Sequence, residues 1–227
     1  FAGSRPAWEK VGAQLVSDVA PYEHMKLRLL NGAHSALAYL GYLASYETIP
    51  DVVADPAFRA YADVLWDEVI PVVPQPRGVE LRGYTADLLA RFSNTAVRHR
   101  TWQIAMDGSQ KLPQRLLSTA RERLAQGRPI PALALAIAGW IRYVGGQDEQ
   151  GRPIEVQDPL AERLQATLRS AGSDPAHQVQ SILDVQSVFG TDLPRMDEFV
   201  AAVSDAYAKL YAEGARRAVA RIRSPEA

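Results

Sequence analysis

Asp-Pro pairs constrain the fold of this chain more than any other feature, because each places a helix-capping carboxylate directly before a proline suited to the first helical turn. Downstream of these pairs, apolar residues recur at helical spacing with polar residues between them. Alternation typical of a strand is confined to residues 13–16. The sequence therefore predicts an all-α, multi-helix domain, with helix starts at three pairs: Asp55-Pro56, Asp158-Pro159 and Asp174-Pro175.

The longest helices are predicted near the two ends of the chain. One should run over residues 21–45 and the other over residues 194–222, and each is long enough to organise a bundle. The apolar stretch at residues 130–141 is too short for a bilayer span, which needs about 20 apolar residues, so a buried core helix is expected there. Clusters of Gly, Pro and polar residues predict loops at residues 74–78, 107–113, 145–153 and 190–194.

The composition argues against several functional classes. With 25 basic and 26 acidic residues, the chain has a formal net charge of -1 and no global positive field to attract nucleic acid or a membrane. It has no cysteine, which excludes disulfides, cysteine-ligated zinc and thiol catalysis and agrees with a cytoplasmic location. Its 227 residues, 47% of them hydrophobic, are enough for one well-packed globular domain.

A lysine, an asparagine and a histidine fall within the predicted helix at residues 21–45. On an α-helix, Asn31 and His34 lie about 140° and about 80° from Lys26, so all three share one side. A partly desolvated lysine can accept an alcohol proton, an asparagine amide can stabilise the oxygen as it gains charge, and a histidine can bind a neighbouring hydroxyl. Spacing alone also fits a solvated helix face. As a site, the three would deprotonate an alcohol while hydride leaves its carbon, and this scheme needs no metal ion.

Residues 26–34, Lys-Leu-Arg-Leu-Leu-Asn-Gly-Ala-His, resemble the Lys/Asn/His signature of the polyol-specific long-chain dehydrogenases and reductases, the mannitol dehydrogenase family. Residues 19–23 resemble the same family, and residues 91–94 followed by residues 100–113 are similar to its other characteristic stretch. The resemblance spans essentially the whole chain, residues 1–227. It corresponds to the family's C-terminal catalytic and substrate domain, a helical domain like the C-terminal domain of 6-phosphogluconate dehydrogenase.

This resemblance implies metal-independent, NAD- or NADP-dependent oxidation of a sugar alcohol or an aldonate to a keto compound. It makes Lys26 the general base, Asn31 an oxyanion donor and His34 a hydrogen-bond partner of the substrate. Lys111 matches a substrate-contacting lysine of the family.

The second block indicates a branch of the family. Gln103 stands where mannitol 2-dehydrogenases carry an arginine, and the residues around it are more similar to the fructuronate reductase (mannonate oxidoreductase) branch. Substrates of that branch bear a carboxylate, with which Arg100 or Lys111 can pair as a charge-assisted donor. Both the mannitol 2-dehydrogenase type and the fructuronate reductase type stay open.

No Gly-x-Gly-x-x-Gly motif follows a strand in this sequence, so NAD or NADP should be bound mainly by an N-terminal Rossmann domain absent from the chain. The chain begins at Phe1 without a secretion signal, which agrees with a fragment that starts within a longer protein. We expect this fragment alone to be inactive. Its partners should be that Rossmann domain and a small sugar alcohol or sugar acid.

Other functions and roles are also compatible with a helical chain. The main alternative is a stand-alone binding or scaffold module without catalysis; a metal-dependent hydrolase would need clustered ligands such as His-Glu-x-x-His, which the sequence lacks. The remaining conspicuous residues are predicted to be structural: His24 and His177 on the surface, His99 in a basic loop, Trp102 and Trp140 in the core, and Glu122 and Arg123 on a solvated helix face.

Overall fold

The chain folds into helices that follow one another closely. A computed structural model describes residue 3 and residues 5–222. Among these residues no β-strand forms, and isolated antiparallel bridges pair Thr48 with Arg100 and Gln147 with Pro153. The predicted all-α class is therefore confirmed.

The α-helices of the described residues are α1 (Ala20–Met25), α2 (Ala33–Leu43), α3 (Ile49–Ala54), α4 (Pro56–Val69), α5 (Leu81–Phe92), α6 (Thr101–Ala105), α7 (Gly108–Leu112), α8 (Ser118–Ala125), α9 (Pro131–Val144), α10 (Ala161–Ser170), α11 (Pro175–Leu183), α12 (Gln186–Phe189), α13 (Asp197–Glu213) and α14 (Ala215–Arg221). π-Helical segments occur at Lys26–Gly32 and Pro113–Leu117, and 3₁₀ turns occur at Trp8–Val11, Ile70–Val72 and Leu193–Arg195.

Helix α9 forms the centre of the core. It packs against α2 and α13, and Trp140 within it is fully buried, which confirms the core helix predicted at residues 130–141. The buried Glu68 carboxylate of α4 caps its first turn, accepting hydrogen bonds from the backbone N–H groups of Ala132 (2.6 Å) and Leu133 (2.9 Å). These donors have no partner within the helix, so the carboxylate prevents their being buried unpaired.

Two of the three Asp-Pro pairs cap helices as predicted. The Asp55 carboxylate accepts a hydrogen bond from a backbone N–H in the first turn of α4, and that of Asp174 does the same in α11. The prediction for Asp158 is wrong, because α10 begins only at Ala161. The Asp158 side chain accepts a hydrogen bond from the backbone N–H of Leu160 (2.9 Å), just before that helix, and also binds a segment distant in sequence, as described for the site.

Several other boundaries also differ from the predicted ones. The helix expected over residues 194–222 is divided at Gly214, whose φ of 79° favours glycine and ends α13. The loop expected at residues 107–113 is largely helical, because α7 leads directly into the π segment Pro113–Leu117. Residues 13–16 form no strand, whereas residues 74–78 and 145–153 are loops as predicted.

Some predictions of burial are also wrong. Arg123, expected on a solvated face, is 1% exposed, and its guanidinium donates to the carbonyl oxygen of Glu68 (2.8 Å). Its neighbour Glu122 pairs with a buried arginine. Trp102, expected in the core, is 39% exposed. Helical periodicity shows that a face exists but not which neighbouring element covers it, which explains these errors.

A membrane-spanning helix was not expected, and the described part of the chain contains none that is both long and apolar enough to cross a bilayer.

Candidate active site

Lys26, Asn31 and His34 lie on one continuous helix, as predicted, but the middle of that helix is not α-helical. Helix α1 leads into the π segment Lys26–Gly32, which continues into α2. A π-helix pairs residue i with residue i+5, so residues five apart lie roughly one turn apart on the same side. Lys26 and Asn31 are therefore closer to a common face than the about 140° expected for an α-helix.

Two buried contacts anchor this π segment to the core. The Arg28 guanidinium donates to the carbonyl oxygen of Val72 (2.9 Å) and forms a two-pronged ion pair with Glu122 (2.6 Å to each oxygen). The indole N–H of Trp66 donates to the carbonyl oxygen of Leu29 (3.0 Å). A side-chain donor at a helical carbonyl competes with the regular backbone ladder, so the Trp66 bond fits the departure from α geometry at this point.

Gly32 brings the first π segment against the second one. A β-carbon at position 32 would lie 2.8 Å from the main-chain oxygen of Arg115, which belongs to Pro113–Leu117. Only glycine permits this approach without a shift of the backbone. The contact places residues 26–34 beside the segment that follows Lys111.

Lys26 and Asn31 present polar groups that no other described residue engages. Lys26 is exposed at the start of the π segment, and Asn31 is half-buried near its end. Neither side chain forms a hydrogen bond or an ion pair within the described residues. An amine and an amide are therefore available to a ligand on this helix.

His34 is enclosed by rings and positive charges. Its ring stacks on Phe92 (centroids 4.9 Å apart) and contacts the ring of His99 (5.3 Å). Its Nε2 atom is buried and has no hydrogen-bond partner among the residues described. Burial and then the positive charges of His99, Arg115 and Arg91 lower the pKa of His34 to about 4. The imidazole is therefore neutral at neutral pH, with Nε2 left to serve a ligand.

Lys111 is held by the turn that precedes its helix. Its Nζ donates to the carbonyl oxygen of Met106 (2.6 Å) and lies 3.6 Å from the Asp107 carboxylate. Burial and then the nearby Arg115 lower the pKa of Lys111, while Asp107 opposes this change. The half-buried ammonium is thus positioned by residues 106 and 107.

A carboxylate from a distant segment fixes the start of α7, which carries Lys111. Asp158 accepts hydrogen bonds from the backbone N–H (2.7 Å) and the hydroxyl (2.6 Å) of Ser109, whose side chain is buried. Asp107, at the capping position itself, makes no side-chain cap bond. Asp158 therefore supplies the cap of α7 from 49 positions away.

Arg100 and Gln103 lie at the surface, at the start of α6. Arg100 precedes the helix and pairs through its backbone with Thr48, and Gln103 is in the first turn. Both are exposed, and in the described part of the chain neither side chain has a hydrogen bond or ion pair. Helix α6 packs against α2, which carries His34. The structure thus places the two residues beside the histidine helix but outside its buried surroundings.

Three residues around His34 were not identified as site residues from the sequence. Phe92 has no reactive group to single it out, and His99 was expected to be only part of a basic loop, whereas its ring contacts His34. Arg115 could have been identified from its position four residues after Lys111, because residues four apart share one helix face.

Comparison with known proteins defines the class of this domain. The chain superposes on Pseudomonas fluorescens mannitol 2-dehydrogenase, solved as a ternary complex with NAD and D-mannitol, with a TM-score of 0.87 and 40% identity. The match covers 95% of this chain and 43% of that chain. The fold is thus that of an oxidoreductase domain. Residues 18–211 match the mannitol dehydrogenase C-terminal domain, and the chain belongs to this family.

Curated relatives from Escherichia coli agree with this assignment. An oxidoreductase named YdfI is 52% identical over 223 residues, which are 97% of this chain and 45% of the relative. A D-mannonate oxidoreductase is 51% identical over 224 residues, which are 98% of this chain and 46% of the relative. The family predicted from two sequence blocks is confirmed, and the chain spans less than half the length of these relatives.

Proposed function

We propose that this chain is the substrate-binding and catalytic domain of an NAD- or NADP-dependent, metal-independent dehydrogenase that oxidises a polyol or an aldonate to a keto compound. The reaction would be of the mannitol 2-dehydrogenase or the fructuronate reductase (mannonate oxidoreductase) type. The names of the relatives, which include a D-mannonate oxidoreductase and a mannitol 2-dehydrogenase, support both types.

One observation carries this proposal. The polar ends of Lys26 and Asn31 and the buried Nε2 of His34 have no partner among the described residues, although all three lie on one helix. Buried polar groups in proteins are almost always paired, so an orphaned His34 Nε2 points to a ligand that pairs with it. The helix itself is firmly anchored by Arg28 and Gly32, which favours a preorganised site.

Each of the three side chains has a distinct proposed role. Lys26 removes the proton from the hydroxyl that is oxidised, and the Asn31 amide donates to the same oxygen as negative charge develops on it. His34, kept neutral by its surroundings, binds a neighbouring hydroxyl through Nε2. Lys111, held at Met106 and Asp107, supplies a further donor to the substrate.

NAD or NADP, when bound, would accept the hydride, and we assign it mainly to an N-terminal Rossmann domain. The sequence contains no Gly-x-Gly-x-x-Gly turn, so none of its residues is proposed as a dinucleotide ligand. An apolar surface just before the catalytic helix supports contact with another domain, since large side chains there are exposed: Trp8, Val11, Leu15, Val16 and Val19.

The test is an assay of the full-length protein that contains this chain. D-mannonate, D-mannitol and related polyols are offered with NAD and with NADP, and reduction of the cofactor is followed. Turnover of at least one pair is expected. A folded protein that reduces neither cofactor with any of these substrates would favour the scaffold module instead.

A further inference from the structure

Arg115 is a half-buried cation beside the proposed site. It belongs to the π segment Pro113–Leu117, whose backbone contacts Gly32. Its Nη1 donates to the hydroxyl of the fully buried Ser35 (2.9 Å), next to His34 in sequence. Its Nε atom is buried and has no hydrogen-bond partner among the residues described. The guanidinium is thus held in place by the hydrogen bond of Nη1, while its buried Nε–H lacks an acceptor among the described residues.

No carboxylate in the described part of the chain neutralises Arg115. Two acidic residues of this region have other partners, Asp107 with Lys111 and Asp158 with Ser109. Arg115 forms no ion pair with a described residue. A buried or partly buried charge is costly unless an opposite charge or a full set of hydrogen bonds accompanies it.

The charge of Arg115 reaches both neighbouring site residues. It is one of the causes that lower the pKa of His34 and that of Lys111. Its own pKa is lowered by burial. Arg91, another cation acting on His34, is exposed and therefore screened by solvent. The site consequently has an excess of positive charge, which water screens at the exposed Arg91 but only in part at the half-buried Arg115.

We propose that Arg115 binds the carboxylate of the substrate, which makes it the residue that selects a sugar acid over a neutral polyol. A planar guanidinium matches a carboxylate with two parallel hydrogen bonds, and an anion would also lessen the repulsion between Arg115 and Lys111. This inference rests on the proposed function, because it specifies the substrate of the same site. A polyol with a hydroxymethyl group at that position would offer one neutral acceptor and leave the charge of the guanidinium without a counterion.

The experiment compares two substrates that differ only in this group, D-mannonate with a carboxylate and D-mannitol with a hydroxymethyl group. It measures kcat/KM for both in the full-length enzyme, for the parent and for the variants Arg115→Met and Arg115→Lys. Arg121→Met serves as the matched control, because Arg121 is an exposed arginine that pairs with Asp192 outside the site.

The parent is expected to prefer mannonate. Arg115→Met should lower kcat/KM for mannonate by about 10- to 100-fold through KM, the size expected for a hydrogen bond to a charged group, and should lower it for mannitol by a clearly smaller factor. Arg115→Lys should retain part of the preference, because it keeps the charge without the planar fork. Arg121→Met should leave kcat/KM unchanged for both substrates.

Other results would overturn the assignment. A parent enzyme that prefers mannitol, or an Arg115→Met variant that loses activity equally on both substrates, would exclude a carboxylate-binding role. If Arg115→Met does not fold, Ser35→Ala decides, since it removes the tether of Arg115 and should raise KM for mannonate more than KM for mannitol. An enzyme that turns over neither substrate would instead refute the proposed function itself.

Discussion

Gly32 lies against the main-chain oxygen of Arg115, at a distance that would leave a β-carbon 2.8 Å from that oxygen. The atom in the way is backbone, so it cannot rotate aside as a side chain would. This contact and the hydrogen bond from Arg115 to Ser35 join the helix of Lys26, Asn31 and His34 to the helical segment that carries Lys111 and Arg115. The spacing between the two halves of the proposed site therefore depends on position 32.

We predict that Gly32→Ala destabilises the protein by about 1–3 kcal/mol, because the added methyl group forces the two π segments apart. Gly83→Ala is the matched control within α5, where the added carbon would lie 3.2 Å from a side-chain oxygen, the Glu80 carboxylate that caps this helix, and not against backbone. That substitution should change the unfolding free energy by less than about 1 kcal/mol, because the small shift of the cap is offset by the better helix propensity of alanine. Urea unfolding of both variants measures the contrast, and equal effects would contradict the proposed contact.

In the full-length enzyme, Lys26→Ala should lower kcat by about 10² to 10⁴-fold with a smaller change in KM, because the proton is abstracted only as the transition state forms. The ascending limb of the pH profile for oxidation should also disappear or move. Lys209→Ala, which removes an exposed lysine from α13, is the control and should leave both unchanged. A Lys26→Ala variant with the parental limb and turnover would show that Lys26 is not the base.

Asn31→Ala should lower kcat within a similar range, about 10² to 10³-fold, through loss of a donor to the developing oxyanion. Since Asn31 holds no other described residue, its removal should leave the unfolding free energy nearly unchanged. Circular dichroism during thermal unfolding checks the second point. A large fall in stability would assign Asn31 a structural role instead.

Two buried groups should give the pH dependence of stability opposite signs. Burial raises the pKa of Glu68 from its ordinary 4.5 to about 7, so the folded state holds this proton more tightly than the unfolded state does. The resulting stabilisation of the fold is fully present below pH 4.5 and is lost as the pH rises to about 7. The pKa of His34 is lowered from 6.5 to about 4, so the folded state holds the neutral ring. The resulting stabilisation of the fold is fully present above pH 6.5 and is lost as the pH falls to about 4. Each difference corresponds to about 3 kcal/mol.

These opposite contributions partly cancel in the parent. Glu68→Gln should therefore make the unfolding free energy rise more steeply with pH between about 4.5 and 7, whereas His34→Gln should make it fall over the same interval. Urea titrations at several pH values provide the measurement. Parallel pH profiles for the two variants and the parent would contradict both assignments.

Asp158→Ala should cost more stability than Asp174→Ala, although both residues stand before a proline. Asp174 caps α11 at an exposed position, a contribution of about 1 kcal/mol. Asp158 satisfies both the N–H and the hydroxyl of buried Ser109, so its loss should cost about 2–3 kcal/mol. Asp158→Ala should also raise KM, since α7 positions Lys111. If its unfolding free energy equals that of Asp174→Ala and its KM is that of the parent, Asp158 does not hold the start of α7 in the proposed way.

The local signals in the sequence predicted much of the fold. Asp55 and Asp174 predicted helix starts correctly because a helix cap acts on the next few residues of the chain. The apolar run at residues 130–141 predicted a core helix because it is too short to span a membrane. The break at Gly214 was missed because apolar spacing continues through it. Asp158 was misjudged because its carboxylate binds Ser109 in addition to the nearby N–H of Leu160, and no local pattern can show the bond to Ser109.

In the site, too, the sequence predicted what depends on neighbouring residues but not what depends on contacts between distant segments. Lys26, Asn31 and His34 could be identified together because they share one helix, but the π geometry could not, since it depends on Trp66, Arg28 and Gly32 meeting distant segments. The surroundings of His34 come from three separate stretches of chain. Phe92, His99 and Arg115 therefore became recognisable only when the tertiary structure placed them there.

The π segments also determine which changes this helix tolerates. A π turn holds one residue more than the α turn it replaces, so deletion of one residue between positions 27 and 30 would allow an ordinary helix to form. Everything beyond the deletion would keep roughly its present orientation relative to Lys26, because four residues of an α-helix would complete the turn that five residues complete now. The extra residue is thus taken up locally, and the family is expected to tolerate the loss of one residue here better than within the α-helical Ala33–Leu43, where a deletion would turn the residues that follow by about 100°.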